Sequence, residues 1–237
     1  MLPNLPLIKI KTAAVCGTYR YIDRIEQLGI RVIPVPENPH LSKPVCAHAD
    51  MNLCFTGTAV FIAKEQTDLI ANLKAQGFVC IPVKQDLKPE YPFDAALNCA
   101  VLDDYAVLNP KTADPQLSCA LQNKKWITVR QGYTKCACLF VASQAVITAD
   151  KGVCTALQKS GMDVLLIRPG FIKLPGYDYG FIGGCGGLID RHTMLFTGNI
   201  EGHPDFPAIR SFLEKYRVSY LALPGELEDI GGILPLE

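Results

Sequence analysis

Ten cysteines lie scattered through a chain of 237 residues, and two of them stand in settings that could do chemistry. Cys136 follows Lys135, whose ammonium favours a thiolate. Cys185 is framed by Gly183, Gly184, Gly186 and Gly187, which leaves the backbone bare enough for close approach of a ligand or a neighbouring segment. His48 precedes Asp50 by two residues; in an extended segment both side chains share a face. Metal binding is the other chemistry that Cys and His allow. No C-x-x-C pair exists, and Cys136 and Cys138 would point to opposite faces of a strand, a poor chelate for one zinc ion. His48 with Cys46 or Cys54 is the remaining ligand set. Most cysteines have apolar neighbours, as in Phe78-Val79-Cys80-Ile81, and read as buried, reduced thiols. No metal and no cofactor is expected.

Composition narrows the classes. Basic and acidic residues number 23 each, so the formal net charge is zero. Nucleic-acid binding would need a basic excess gathered on one face, and a membrane span a longer apolar run than any present. Lys9 and Lys11 interrupt the apolar residues of the first segment, which makes it a poor export signal. The expectation is a soluble, cytoplasmic protein that binds a small molecule, neither nucleic acid nor membrane, with its oligomeric state open.

The elements that must position these residues recur. A helix over Tyr19 to Leu28 is followed by a strand, Ile30 to Val35. Thr67 to Gln76 leads into Phe78 to Val83, and Ser118 to Asn123 leads into Trp126 to Val129. Asp150 to Gly161 leads into Val164 to Ile167. The last helix, with Asp205 as N-cap, runs to Arg217 and delivers Val218 to Leu223. Glycine or asparagine closes four of these helices. After each strand come a loop, a second extended segment such as Gly183 to Ile189, and a third strand: 59–63, 105–108, 145–148 or 193–196. The fifth copy stops after its second strand, Gly231 to Leu236. Either Leu7 to Ile10 or Ala13 to Val15 supplies the strand it lacks.

Units of roughly 40 to 55 residues, each of three strands and a helix, fit radial repeats. A linear α/β domain with a mixed sheet is the alternative; the inserted segment and the incomplete last copy argue against it. The expected fold is a five-bladed pseudo-symmetric α/β propeller, residues 1–237 forming one domain whose N- and C-terminal segments share a blade.

Such a ring resembles the pentein, or guanidine-modifying-enzyme, superfamily. The stretches His48-Ala-Asp50-Met51, Gln131-Gly-Tyr-Thr-Lys135-Cys136, Lys173 to Gly184, His203-Pro-Asp205 and Asp229-Ile-Gly-Gly232 resemble a bacterial branch of it without an assigned activity. The resemblance implies a deiminase or dihydrolase hydrolase, or an amidinotransferase-like transferase. In these a cysteine thiolate attacks a guanidinium carbon, a histidine moves protons, and carboxylates grip the nitrogens. A planar, cationic, five-donor fork is matched by paired carboxylates, and the thiolate needs a lowered pKa.

Aligning the copies on their third strands brings Asp50, Ala96, Cys136, Gly184 and Asp229 nearest the axis. Two residues on lie Asn52, Asn98, Cys138, Gly186 and Gly231. On this frame Cys136 or Cys185 is the candidate nucleophile and His48 the base. Asp50, Asn52, Asp178, Gly184 and Asp229 would bind the ligand, with Glu228 behind and Lys135 holding a carboxylate. Tyr177 and Tyr179, either side of Asp178, read as a packed loop or as an aromatic lip for a cation. The mixed charge of the loops suits a zwitterion such as an amino acid. The departures are that the superfamily's enzymes carry the nucleophile in the last unit, where Glu226 to Gly232 has no cysteine, and their histidine in a later unit than His48. No residue therefore carries over by position. Two readings stay open: an enzyme with a rebuilt set, and a non-enzymatic module binding a metabolite or a protein. A ring that binds nothing is disfavoured by the small, polar axis.

Overall fold

A computed structural model describes residues 3–236. Five three-stranded sheets repeat one topology, an inner strand antiparallel to a central strand that is itself parallel to an outer one. In chain order the central strands are Thr12–Cys16, Val60–Ile62, Tyr105–Leu108, Ala145–Thr148 and Thr193–Phe196. Each runs through a helix to its outer partner, the crossover that parallel pairing needs. The helices are Ile22–Gln27, Thr67–Ala75, Pro115–Ala120, Lys151–Lys159 and Phe206–Lys215.

The chain closes on itself. Leu234–Pro235 is the inner strand of the sheet centred on Thr12–Cys16, with Ala14 opposite Leu234. Of the two segments the sequence offered, 13–15 is the strand and 7–10 is not.

Closure is also visible in the core. Successive side chains of a strand point to opposite faces, and here both faces are covered. Val60 and Ile62 pack with Ile33 and Val35 of the first sheet, whereas Phe61 between them packs with Val101 and Leu108 of the third. Val107 meets Val146, Ile147 meets Met194 and Phe196, and Leu195 meets Ala13 and Val15. Five apolar clusters thus join five sheets in a ring. Fully burying each Ile, Val, Leu or Phe contributes about 1.5–3 kcal/mol, so the contacts between sheets carry much of the stability. The outer strand Ser219–Ala222, by contrast, is largely exposed.

Three expectations need correcting. The third helix begins at Pro115, because Asp114 accepts the amides of Gln116 and Leu117 and fixes the start there. Asp205 stands at the N-cap of the last helix, as expected, but its carboxylate accepts no helix amide. Its carboxylate instead accepts from the Arg168 amide at 2.6 Å and Arg168 Nε at 2.8 Å. Left-handed residues close the helices at Gly29, Gly77 and Gly161, but the fifth is Arg217 (φ 57°), and Asn123 is not among them.

Candidate active site at the ring axis

The segments entering four of the inner strands are not extended as expected. They are single turns of α- or 3₁₀-helix: Ala49–Asn52, Phe93–Ala95, Thr134–Ala137 and Ile182–Cys185. A turn aims side chains at the axis that a strand would send to alternate faces. His48 and Asp50 therefore do not share a strand face; His48 caps the turn that carries Asp50. The same holds for Cys136 and Cys138, the residue that ends their turn.

At the centre the Cys136 thiol donates to Asp50 Oδ2 at 2.8 Å. Asn98 braces it: its Oδ1 accepts the Lys135 and Cys136 amides at 2.9 and 3.1 Å, and its Nδ2 donates to Cys136 Sγ at 3.0 Å. Across from the thiol, Asp229 Oδ2 accepts the Phe181 amide at 2.8 Å and Oδ1 the Gly231 amide at 3.0 Å. His48 Nδ1 lies 3.8 Å from Asp229 Oδ1. Asp50, Cys136, His48 and Asp229 are all buried. Residues from the first, third and last segments thus converge as the copy alignment implied.

Glycines make the convergence fit. A Cβ on Gly184 would collide with the Asp229 carboxylate. Gly231 has φ +76°, and a Cβ there would stand 2.8 Å from Asp50 Oδ1. Gly184 is therefore a space-maker for Asp229, a role distinct from the ligand contact expected of it.

A cavity of about 280 Å³ opens on this centre. Its floor holds His48, Cys136 and Asp229, and its walls include Met51, Asp94, Tyr133 and Phe181. Tyr177, Asp178 and Tyr179 form the rim. Its acidic lining residues are Asp94, Asp178 and Asp229, and neither Lys nor Arg lines it.

Burial is the largest cause of the shifts here. It pushes the Cys136 thiol well above the ordinary range, reinforced by Asp50 and Asp229 and opposed by Lys135. It raises the Asp229 carboxyl too, against the pull of His48. A lone charge in this place would be costly.

Asp50 stands behind the Cys136 thiol and does not itself line the cavity, and three other expected residues do not reach it. Lys135 is buried with Nζ donating to Gly183 O at 2.8 Å; it binds the backbone and holds no ligand carboxylate. The Cys185 thiol donates to Phe181 O at 3.1 Å within the apolar core. Asn52 accepts from Asn38 and Gln66 and donates to the carbonyls of Cys46 and His48, so all its bonding capacity is internal. Conversely, Asp94 and Asn98 were not among the candidates. Asp94 precedes Ala96 by the offset at which His48 precedes Asp50, and extending the alignment upstream would have found it. Among the described residues no group of three or more His, Cys, Asp and Glu side chains could hold a metal ion.

Residues 17–234 match the model of a family of unknown function, DUF6873. The chain belongs to that family. No curated protein matches by sequence. Solved structures do match in fold. SxtG, an amidinotransferase of the saxitoxin pathway from Microseira wollei, superposes with a TM-score of 0.64 at 8% identity, over 99% of this chain and 96% of that one. The inosamine-phosphate amidinotransferase of Streptomyces griseus gives 0.59 at 14%, over 99% and 95%. Dimethylarginine dimethylaminohydrolase from Pseudomonas aeruginosa, solved with citrulline, gives 0.55 at 8%, over 90% and 92%. These are pentein enzymes, and the chain has their five-bladed α/β-propeller fold. Among the described residues no helix is long and apolar enough to cross a membrane.

Proposed function

We propose that the axial cavity receives the guanidinium of a small cationic metabolite and that Cys136 attacks its carbon, leading to C–N hydrolysis or amidino transfer. The observation that carries this reading is the Cys136–Asp50 contact of 2.8 Å at the floor of a cavity lined by carboxylates. A cation bound there offsets the carboxylate charges that hold the thiol protonated. In the first step the C–S bond forms as the thiol proton passes to Asp50 Oδ2. The C=N electron pair moves onto nitrogen, giving a tetrahedral adduct. Breaking the C–N bond releases an amine, which leaves with the proton held by Asp50, and an S-amidino cysteine remains. Water or a second amine then takes the amidino group, and the sulfur regains a proton. His48, beside Asp229, is the group available to accept the proton of that second nucleophile.

The competing reading is a binding module for the same cation. What supports it is the strong upward push on the thiol, together with the lack of a cysteine in the last unit. Alkylation by a haloacetamidine, read by peptide mass spectrometry, separates the two. Selective modification of Cys136 is expected for the enzyme. Absence of modification, or equal slow reaction of all thiols, would leave the module.

A further inference from the structure

Asp94 is a buried carboxylate that the reaction above does not use. It lines the same cavity from the turn Phe93–Ala95 and is only 2% exposed. Its Oδ2 accepts from Tyr133 Oη at 2.6 Å. Its Oδ1, also buried, has no hydrogen-bond partner in the protein. A buried polar atom without a partner is costly, and this one belongs to a side chain facing a cavity that no Lys or Arg enters. Next to it the wall is aromatic: Tyr133 lies 5.6 Å from Tyr91 and 6.2 Å from Phe181 between ring centroids. Such faces attract cations and cover alkyl chain.

We propose that Asp94 is a second cation-binding carboxylate, so that the occupant is positively charged at both ends, an alkyl guanidino-amine or diamine, and carries no carboxylate. The inference rests on the cationic reading of the cavity given above and specifies its ligand class. One end meets Asp229, beside the Cys136 thiol, and the other meets Asp94 and its Tyr133 partner. The apolar wall suits the methylenes between. An amino acid would bring its carboxylate among these acids without a counter-charge. The adjoining cavity of about 320 Å³ does contain Arg20, but its guanidinium is already paired with Glu228 at 3.2 Å.

Isothermal titration of the full chain with butylguanidine, aminobutylguanidine, putrescine and arginine tests the class. Aminobutylguanidine is expected to bind about tenfold or more tightly than butylguanidine, as one added charge contact implies, and arginine weakest. Asp94→Asn should weaken the dication about tenfold more than the monocation, with Tyr133→Phe in the same direction. If Asp94→Asn does not fold, the wild-type ranking decides alone. Equal binding of monocation and dication, or arginine binding best, overturns the assignment of Asp94 while leaving the guanidinium reading intact. Putrescine alone binding would keep Asp94 and overturn the guanidinium reading. No binding by any probe overturns both.

Discussion

The helical turns Thr134–Ala137 and Ile182–Cys185 each carry a cysteine, and they differ in what the thiol meets. Both thiols are buried and pushed well above the ordinary range, with burial the largest cause. Cys136 nevertheless faces a carboxylate on an open cavity, whereas Cys185 faces a backbone carbonyl within the core. A carboxylate can take the thiol's proton and a carbonyl cannot. Burial and a raised pKa are therefore common to both thiols, and the acceptor is what differs between them.

The sharpest way to break this comparison is chemical. Cys136→Ala is expected to abolish haloacetamidine labelling, and Cys185→Ala to leave its rate unchanged; the reverse pattern would exchange the roles of the two turns. Next in size is a stability effect, because the turns dock on one another. A Cβ on Gly183 would collide with the backbone carbonyls of Lys135, Cys136 and Cys138. Gly183→Ala should therefore cost roughly 3 kcal/mol in urea unfolding, the upper end for overpacking. An unchanged midpoint would show that the turns are not tightly apposed.

A smaller effect sharpens the electrostatics. Asp50 raises the Cys136 thiol both by its charge and by accepting its hydrogen bond. Asp50→Asn should move the pH profile of Cys136 alkylation by neutral iodoacetamide toward lower pH. Asp50 is not among the causes raising Cys185, whose profile should stay in place.

The smallest concerns Asp229. Its folded-state pKa is raised above 3.8, mainly by burial. The proton-linked stability it contributes is thus complete below about 3.8 and is lost as pH rises through the elevated value. Asp229→Asn should flatten that part of the wild-type stability profile above pH 3.8, measured by denaturant unfolding at successive pH values.

The ring was legible in the sequence because its central strands are buried on both faces. Continuous apolar runs such as Ala145 to Thr148, each feeding an amphipathic helix, repeat often enough to be aligned. The convergence of Asp50, Cys136 and Asp229 followed from that alignment. What the sequence does not carry is direction within a turn of three or four residues, too short to show a period. Charge put Lys135 at a ligand carboxylate and a glycine frame made Cys185 a candidate; the helical turns send the lysine to Gly183 O and the thiol into the core. Asp94 escaped for a related reason. Ala96, its neighbour in the aligned set, carries no functional group, so nothing drew attention two residues upstream.

The pairing of Ala14 with Leu234 has a bearing on biosynthesis. The opening strand emerges from the ribosome long before the segment that completes its sheet, and Asp229 arrives with that late segment. Contacts of such sequence separation form slowly, so both edges of the nascent ring wait exposed until that segment has been made. Assembly of the centre consequently waits for the last of the five units. A permutant that fuses residue 236 to residue 3 and opens a surface loop elsewhere would let that sheet form early.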